Sequence, residues 1–125
     1  MEEADVRQLF TRLFEQMSAD EEYELRHPDY VMEMPQSGER IRGRENMHSM
    51  QANYPGPPDI KLRRVVGAGD VWVVEGQSDY DGRIYHGVVI VEFRDDKILR
   101  ETRYYADPFD APEWRAQWVE PMEAT

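Results

Sequence analysis

The tetrapeptide Pro55-Gly56-Pro57-Pro58 divides the chain into two hydrophobic rhythms. Three prolines in four residues fix φ and remove amide donors, so neither a helix nor a central strand runs through them. Before this point apolar residues recur about every 3.6 positions. Val6, Leu9, Phe10, Leu13, Phe14 and Met17 form the stripe of an amphipathic helix. Ser18 followed by Glu21 reads as a capping box opening a short second helix through about Arg26, stopped by His27-Pro28. Asp29 to Met34 reads as a strand ending at Pro35, and Gln36-Ser37-Gly38-Glu39 as a turn. A third helix from about Arg44 to Tyr54 places Met47, Met50 and Tyr54 on one face.

Beyond the prolines the period is two. Ile60 to Ala68, Val71 to Tyr80, Arg83 to Phe93 and Lys97 to Tyr105 are rich in β-branched and aromatic residues. Gly69-Asp70, Asp81-Gly82 and Asp95-Asp96 separate them as hairpin turns. Asp81-Gly82 is the strongest signal, since a type I′ turn needs positive φ at both central positions. Three helices and then a meander make an α+β layout of one domain over residues 1–125, with a strongly curved antiparallel or mixed sheet. The tail from Asp107 carries Phe109, Trp114 and Trp118, which predicts packing on the domain, either as an anchor or as a lid over a cavity.

Composition narrows function mainly by exclusion. The formal charge is −11, with 13 acidic and 7 basic side chains up to Leu62 and 13 and 8 after it, so the excess is spread over the surface. Such a field disfavours nucleic acid and anionic membranes as partners. With no cysteine, thiolate metal sites, disulfides and thiol nucleophiles are excluded. The acidic start Met1-Glu2-Glu3-Ala4-Asp5 does not read as a secretory signal, and a cytoplasmic location is expected. His27, His48 and His86 have no metal-ligand spacing, so neither a metal nor a cofactor is expected.

Two segments carry a family resemblance. Tyr30-Val31-Met32-Glu33-Met34-Pro35 leading to Gly43-Arg44-Glu45, and Val91-Glu92-Phe93-Arg94-Asp95-Asp96-Lys97-Ile98 leading to Tyr104-Tyr105, resemble the SnoaL-like branch of the nuclear transport factor 2-like superfamily. The resemblance implies helices packed on a curved sheet, a cystatin-like α+β barrel enclosing a conical cavity. It also implies a small-molecule ligand, and a homodimer formed through the outer sheet face. The family's catalytic sets do not carry over. Positions matching the ketosteroid isomerase tyrosine, base and second aspartate are Phe10, Met34 and Val89. The epoxide hydrolase set falls on Gly76, Ser78 and Arg103, and the acid of the SnoaL-type cyclases also falls near Arg103.

Strand parity drawn from the resemblance turns Trp72, Val74, Gly76 and Ser78, then Tyr85, Gly87, Val89 and Val91, then Glu101, Arg103 and Tyr105 into the cavity. Phe10, Phe14, Met34, Met50 and Tyr54 would close the helical side. The expected ligand-binding set is thus Phe10, Phe14, Met34, Met50, Tyr54, Trp72, Ser78, Tyr85, Val89, Glu101, Arg103 and Tyr105. Glu101 and Arg103 share a strand face, and two readings compete for them. Arg103 could hold a ligand carboxylate or enolate while Glu101 moves a proton, or the two could form a structural ion pair. In the first reading, replacing Arg103 with Met removes binding at little cost in stability. Ile84, His86, Val88 and Ile90 alternate onto the outer face as the expected dimer surface. The leading expectation is a cavity protein for a small, largely apolar organic molecule, with isomerase, cyclase or lyase chemistry not based on the known sets. The alternative is a non-enzymatic dimeric module whose cavity is filled by side chains.

Overall fold

The computed structural model describes residues 2–122. Three α-helices, α1 (Glu3–Glu15), α2 (Ala19–Leu25) and α3 (Arg44–Ala52), accompany six strands. These are β1 (Arg26–Met34), β2 (Glu39–Arg42), β3 (Asp59–Ala68), β4 (Val71–Tyr80), β5 (Arg83–Arg94) and β6 (Lys97–Ala106), followed by a short 3-10 helix at Glu113–Trp118. The strands form one mixed sheet in the order β2-β1-β6-β5-β4-β3. β1 runs parallel to β6 and every other pairing is antiparallel. The sheet is not closed into a barrel, since β2 and β3 are its two edges.

The hairpin turns follow the sequence chemistry. Asp81 and Gly82 have φ of 53° and 94°, and Asp95 and Asp96 have φ of 52° and 61°. The capping box is complete: Glu21 N–H donates to Ser18 Oγ and Ser18 N–H to Glu21 Oε1, each at 3.2 Å. α1 buries Val6, Phe10 and Leu13 and packs on β3, building a core with Val65, Trp72, Val91 and Phe93. Register shifts at Arg26/Val31, Leu62/Arg64 and Glu92/Phe93 interrupt the ladders, and such bulges bend a sheet.

Three expectations need correction. The first strand begins at Arg26 and contains His27-Pro28; the proline is tolerated because it lies inside the register shift between Arg26 and Val31. An additional edge strand, β2, pairs with the end of β1. The tail does not pack: Phe109, Trp114 and Trp118 are 80%, 74% and 71% exposed. The six-residue 3-10 helix, which follows Pro112, buries none of its residues. No helix among the described residues is long and apolar enough to cross a membrane.

Candidate functional site

The concave side of the sheet and helices α2 and α3 enclose a cavity of about 840 Å³. Its walls are largely apolar: Met32 and Met34 from β1, Met47 and Met50 from α3, then Pro57, Pro58 and Ile60. Tyrosines gather on one side. Tyr54 and Tyr80 share a hydroxyl hydrogen bond of 2.6 Å, and the Tyr80 and Tyr85 rings meet edge to face at 5.7 Å. Burial and the Tyr54 hydroxyl push the Tyr80 phenol up, so it stays neutral. Arg83 lies over the Tyr85 ring and pairs with Asp107 at 3.7 Å.

Beside the tyrosines and Arg83, the polar part of the lining is Arg103, Glu22, Gln51 and Ser78. Behind it runs a buried network. Arg103 Nη2 donates to both Glu101 oxygens at 3.1 Å, and Nη1 reaches the Tyr105 hydroxyl at 3.5 Å. Tyr30 donates its hydroxyl to the Glu101 carboxylate from the parallel neighbour β1, two residues before the Met32 to Glu101 register pair. Glu101 is 0% exposed. Burial by itself would raise its carboxyl, but the Arg103 and Arg26 guanidiniums and the Tyr30 hydroxyl outweigh this and hold it below the usual carboxylate range. Arg103 is in turn held charged: burial opposes its charge and Glu101 more than restores it.

A second group closes into a ring. Arg26, itself 1% exposed, donates from Nη2 to Glu22 Oε1 at 3.2 Å and from Nη1 to Gln51 Oε1 at 3.1 Å. Gln51 Nε2 completes the ring on Glu22 Oε2 at 2.8 Å. Burial pushes the Glu22 carboxyl up, against the pull of Arg26 and the Gln51 hydrogen bond. The Nε atoms of Arg26 and Arg103 are buried without a hydrogen-bond partner.

Of the residues expected from sequence, Met34, Met50, Tyr54, Ser78, Tyr85, Arg103 and Tyr105 line this cavity. Phe14 and Val89 border a smaller adjoining recess of about 60 Å³, which Arg103, Tyr105 and Ser78 also border. Phe10 and Trp72 reach neither. α1 lies on β3, so Phe10 packs into the core against Phe14 and Phe93, and the Trp72 indole is spent on the Gly69 carbonyl at 2.9 Å. Glu101 sits behind Arg103 and outside the lining. Sequence reasoning missed Glu22, Arg26, Tyr30 and Gln51. Only Glu22 and Arg26, spaced i,i+4, left a local trace. Among the described residues no three His, Asp or Glu side chains converge as metal ligands. His48 is engaged with Asp20 at 2.7 Å, and His86 is exposed on the opposite sheet face.

This architecture is that of a nuclear transport factor 2-like cone. Residues 6–101 match the model of the SnoaL-like domain, and the chain belongs to that family. An NTF-2-like protein of unknown function from Burkholderia xenovorans LB400 is 42% identical, with 84% of this chain and 83% of that one covered and a TM-score of 0.77. A protein from Kribbella flavida provisionally described as a ketosteroid isomerase is 27% identical over 98% of this chain and 90% of its own, at 0.83. At 17% identity, a protein from Jannaschia sp. CCS1 provisionally described as a SnoaL-like polyketide cyclase covers 82% of this chain and 86% of its own at 0.67 and shares the fold. No curated protein matches the sequence.

Proposed function

We propose that this protein binds a small, largely apolar organic molecule in the cone, with Arg103 as the group that meets its anionic or carbonyl oxygen. The observation carrying this reading is the cavity of about 840 Å³ with largely apolar walls and a polar cluster at Arg103, Glu22 and Gln51. Sites of that size and lining are typical of small-molecule pockets. The space is not filled by side chains, which weighs against a purely structural module. Turnover of the isomerase, cyclase or lyase kind would use this cluster, since Phe10, Met34 and Val89 supply neither base nor oxyanion donor. The names of the Kribbella and Jannaschia proteins point to the same classes of chemistry. A cysteine-free chain suits a reducing compartment, and we place it in the cytoplasm, as one domain.

A thermal-shift screen against aromatic acids, terpenoids and polyketide fragments tests the reading. A specific ligand at 100 times its Kd adds about 2.7 kcal/mol to stability. No stabilisation by any member of the screen would count against it.

A homodimer through the outer face is the second part of this reading. Val66, Val73 and Ile90 are register neighbours across β3, β4 and β5, and Val88 adjoins Tyr104. Val66 and Tyr104 are 38% and 41% exposed. An apolar row of this kind on a sheet face is suited to burial against a second copy. Sedimentation at high micromolar concentration should show a dimer that Ile90→Asp dissociates; a wild-type monomer would overturn the assignment.

A further inference from the structure

Arg26 and Arg103 bring two positive charges to the polar end of the cavity, and Glu22 and Glu101 bring two negative ones. With both carboxyls ionised the set is neutral. An apolar molecule bearing a carboxylate would add one uncompensated negative charge where screening is weak, and a proton taken up beside it would remove the imbalance.

The two carboxyls are not equivalent acceptors for that proton. Glu101 lies outside the cavity lining, takes hydrogen bonds from Tyr30 and twice from Arg103, and in its ionised form holds the guanidinium in place. Glu22 faces the cavity. Each of its oxygens receives one hydrogen bond, from Arg26 and from the neutral Gln51, which leaves lone pairs free on both. The groups acting on it are Arg26 on β1, Gln51 on α3, and Arg103 and Glu101 on β6. His48 of α3 is already engaged with Asp20. Arg103 keeps donor capacity at Nη1, which makes one long contact, to Tyr105, and its side chain is 14% exposed.

We propose that the cavity takes its ligand as an aryl or alkyl carboxylate seated on Nη1 of Arg103, and that Glu22 takes up one proton from solvent as the anion enters. The proton returns to solvent when the ligand leaves, so charge balances in both directions. The proposal deepens the small-molecule reading above and rests on it. Burial already pushes Glu22 toward its neutral form, in the sense the coupling requires.

The test is calorimetric titration of the full chain with 2-naphthoate, and with neutral 2-acetylnaphthalene, in buffers of different ionisation enthalpy. Naphthoate should bind with uptake of about one proton, and its affinity should fall about tenfold per pH unit above the pH at which free Glu22 ionises. Acetylnaphthalene should bind without pH dependence. Glu22→Gln should bind naphthoate with no proton uptake and a flat profile. Naphthoate binding to the wild type without proton uptake would overturn the coupling and leave the cavity reading intact. Binding of the ketone but not the carboxylate would overturn the choice of ligand class. Binding of neither would remove the cavity reading as well. Should Glu22→Gln not fold, carbon NMR of the wild-type Glu22 carboxyl decides: it should move to its protonated position on adding naphthoate, and an unmoved signal would refute the proposal.

Discussion

Glu22 and Glu101 feel the same two guanidiniums, Arg26 and Arg103, yet their carboxyls move in opposite directions. Burial opposes ionisation in both. Glu101 overcomes it because two Arg103 hydrogen bonds and the Tyr30 hydroxyl reach its oxygens, whereas Glu22 shares Arg26 with Gln51, and Gln51 carries no charge. The same pair of cations thus holds one acid ionised and leaves the other closer to neutral.

This difference has a sign that stability measurements can read. A raised carboxyl binds more protons folded than unfolded, so Glu22 makes stability fall as pH rises from about 4.3 through its folded value. A lowered one does the reverse: the contribution of Glu101 is full above about 4.3 and is lost as pH falls through its folded value. Urea unfolding from pH 3 to 7 should therefore show Glu22→Gln gaining stability with pH more steeply than wild type, and Glu101→Gln less steeply. Equal slopes in all three would contradict the assignment.

Arg103 has a structural cost attached to its removal that strand parity alone does not reveal. Arg103→Met leaves the wholly buried Glu101 without the guanidinium that bonds both its oxygens, and breaking a buried pair in this way costs about 3–5 kcal/mol. The expectation of little loss in stability is therefore replaced. The double variant Glu101→Leu, Arg103→Met should be more stable than Arg103→Met alone, which denaturant titration of the four corners of the cycle will show.

Gly76 and Gly87 are register partners on adjacent strands and should respond differently to the same change. A Cβ at Gly76 would lie 2.7 Å from the Lys61 carbonyl oxygen, backbone that cannot swing aside, next to the register shift at Leu62/Arg64. At Gly87 it would meet Tyr105 at an ordinary 3.7 Å. Gly76→Ala should lose about 1–3 kcal/mol through forced backbone movement. Gly87→Ala should change midpoint denaturant concentration little.

The capping box fixes the start of α2, the helix that carries Glu22. Ser18→Ala should cost about 1 kcal/mol in thermal or urea unfolding. Ser18→Asp, which keeps the acceptor, should recover most of it.

Much of the fold was legible because the signals were local. The α1 stripe, the Ser18 to Glu21 box and the Asp-Gly and Asp-Asp turns each depend on residues a few positions apart. What was missed depends on distant partners. Glu39-Arg40-Ile41-Arg42 has one apolar residue and becomes strand β2 only because β1 offers it an open edge. His27-Pro28 looked like a stop because a sequence does not display the ladder irregularity that accommodates a proline. For the site, parity placed Arg103 and Tyr105 on the concave face. It could not show that Glu101 lies one layer behind Arg103, or that Gln51 reaches Glu22 across 29 positions. The tail failed for the opposite reason: aromatic content suggested burial, but no groove receives it.

The parallel pairing of β1 with β6 joins the first strand of the chain to the last, and Tyr30 meets Glu101 across 71 positions. Closing so long a loop is slow in folding. During synthesis α1, α2 and β1 leave the ribosome with no ladder partner but β2, and Glu101 does not lock Arg103 until β6 is complete. The polar end of the cavity is therefore among the last parts of the chain to form.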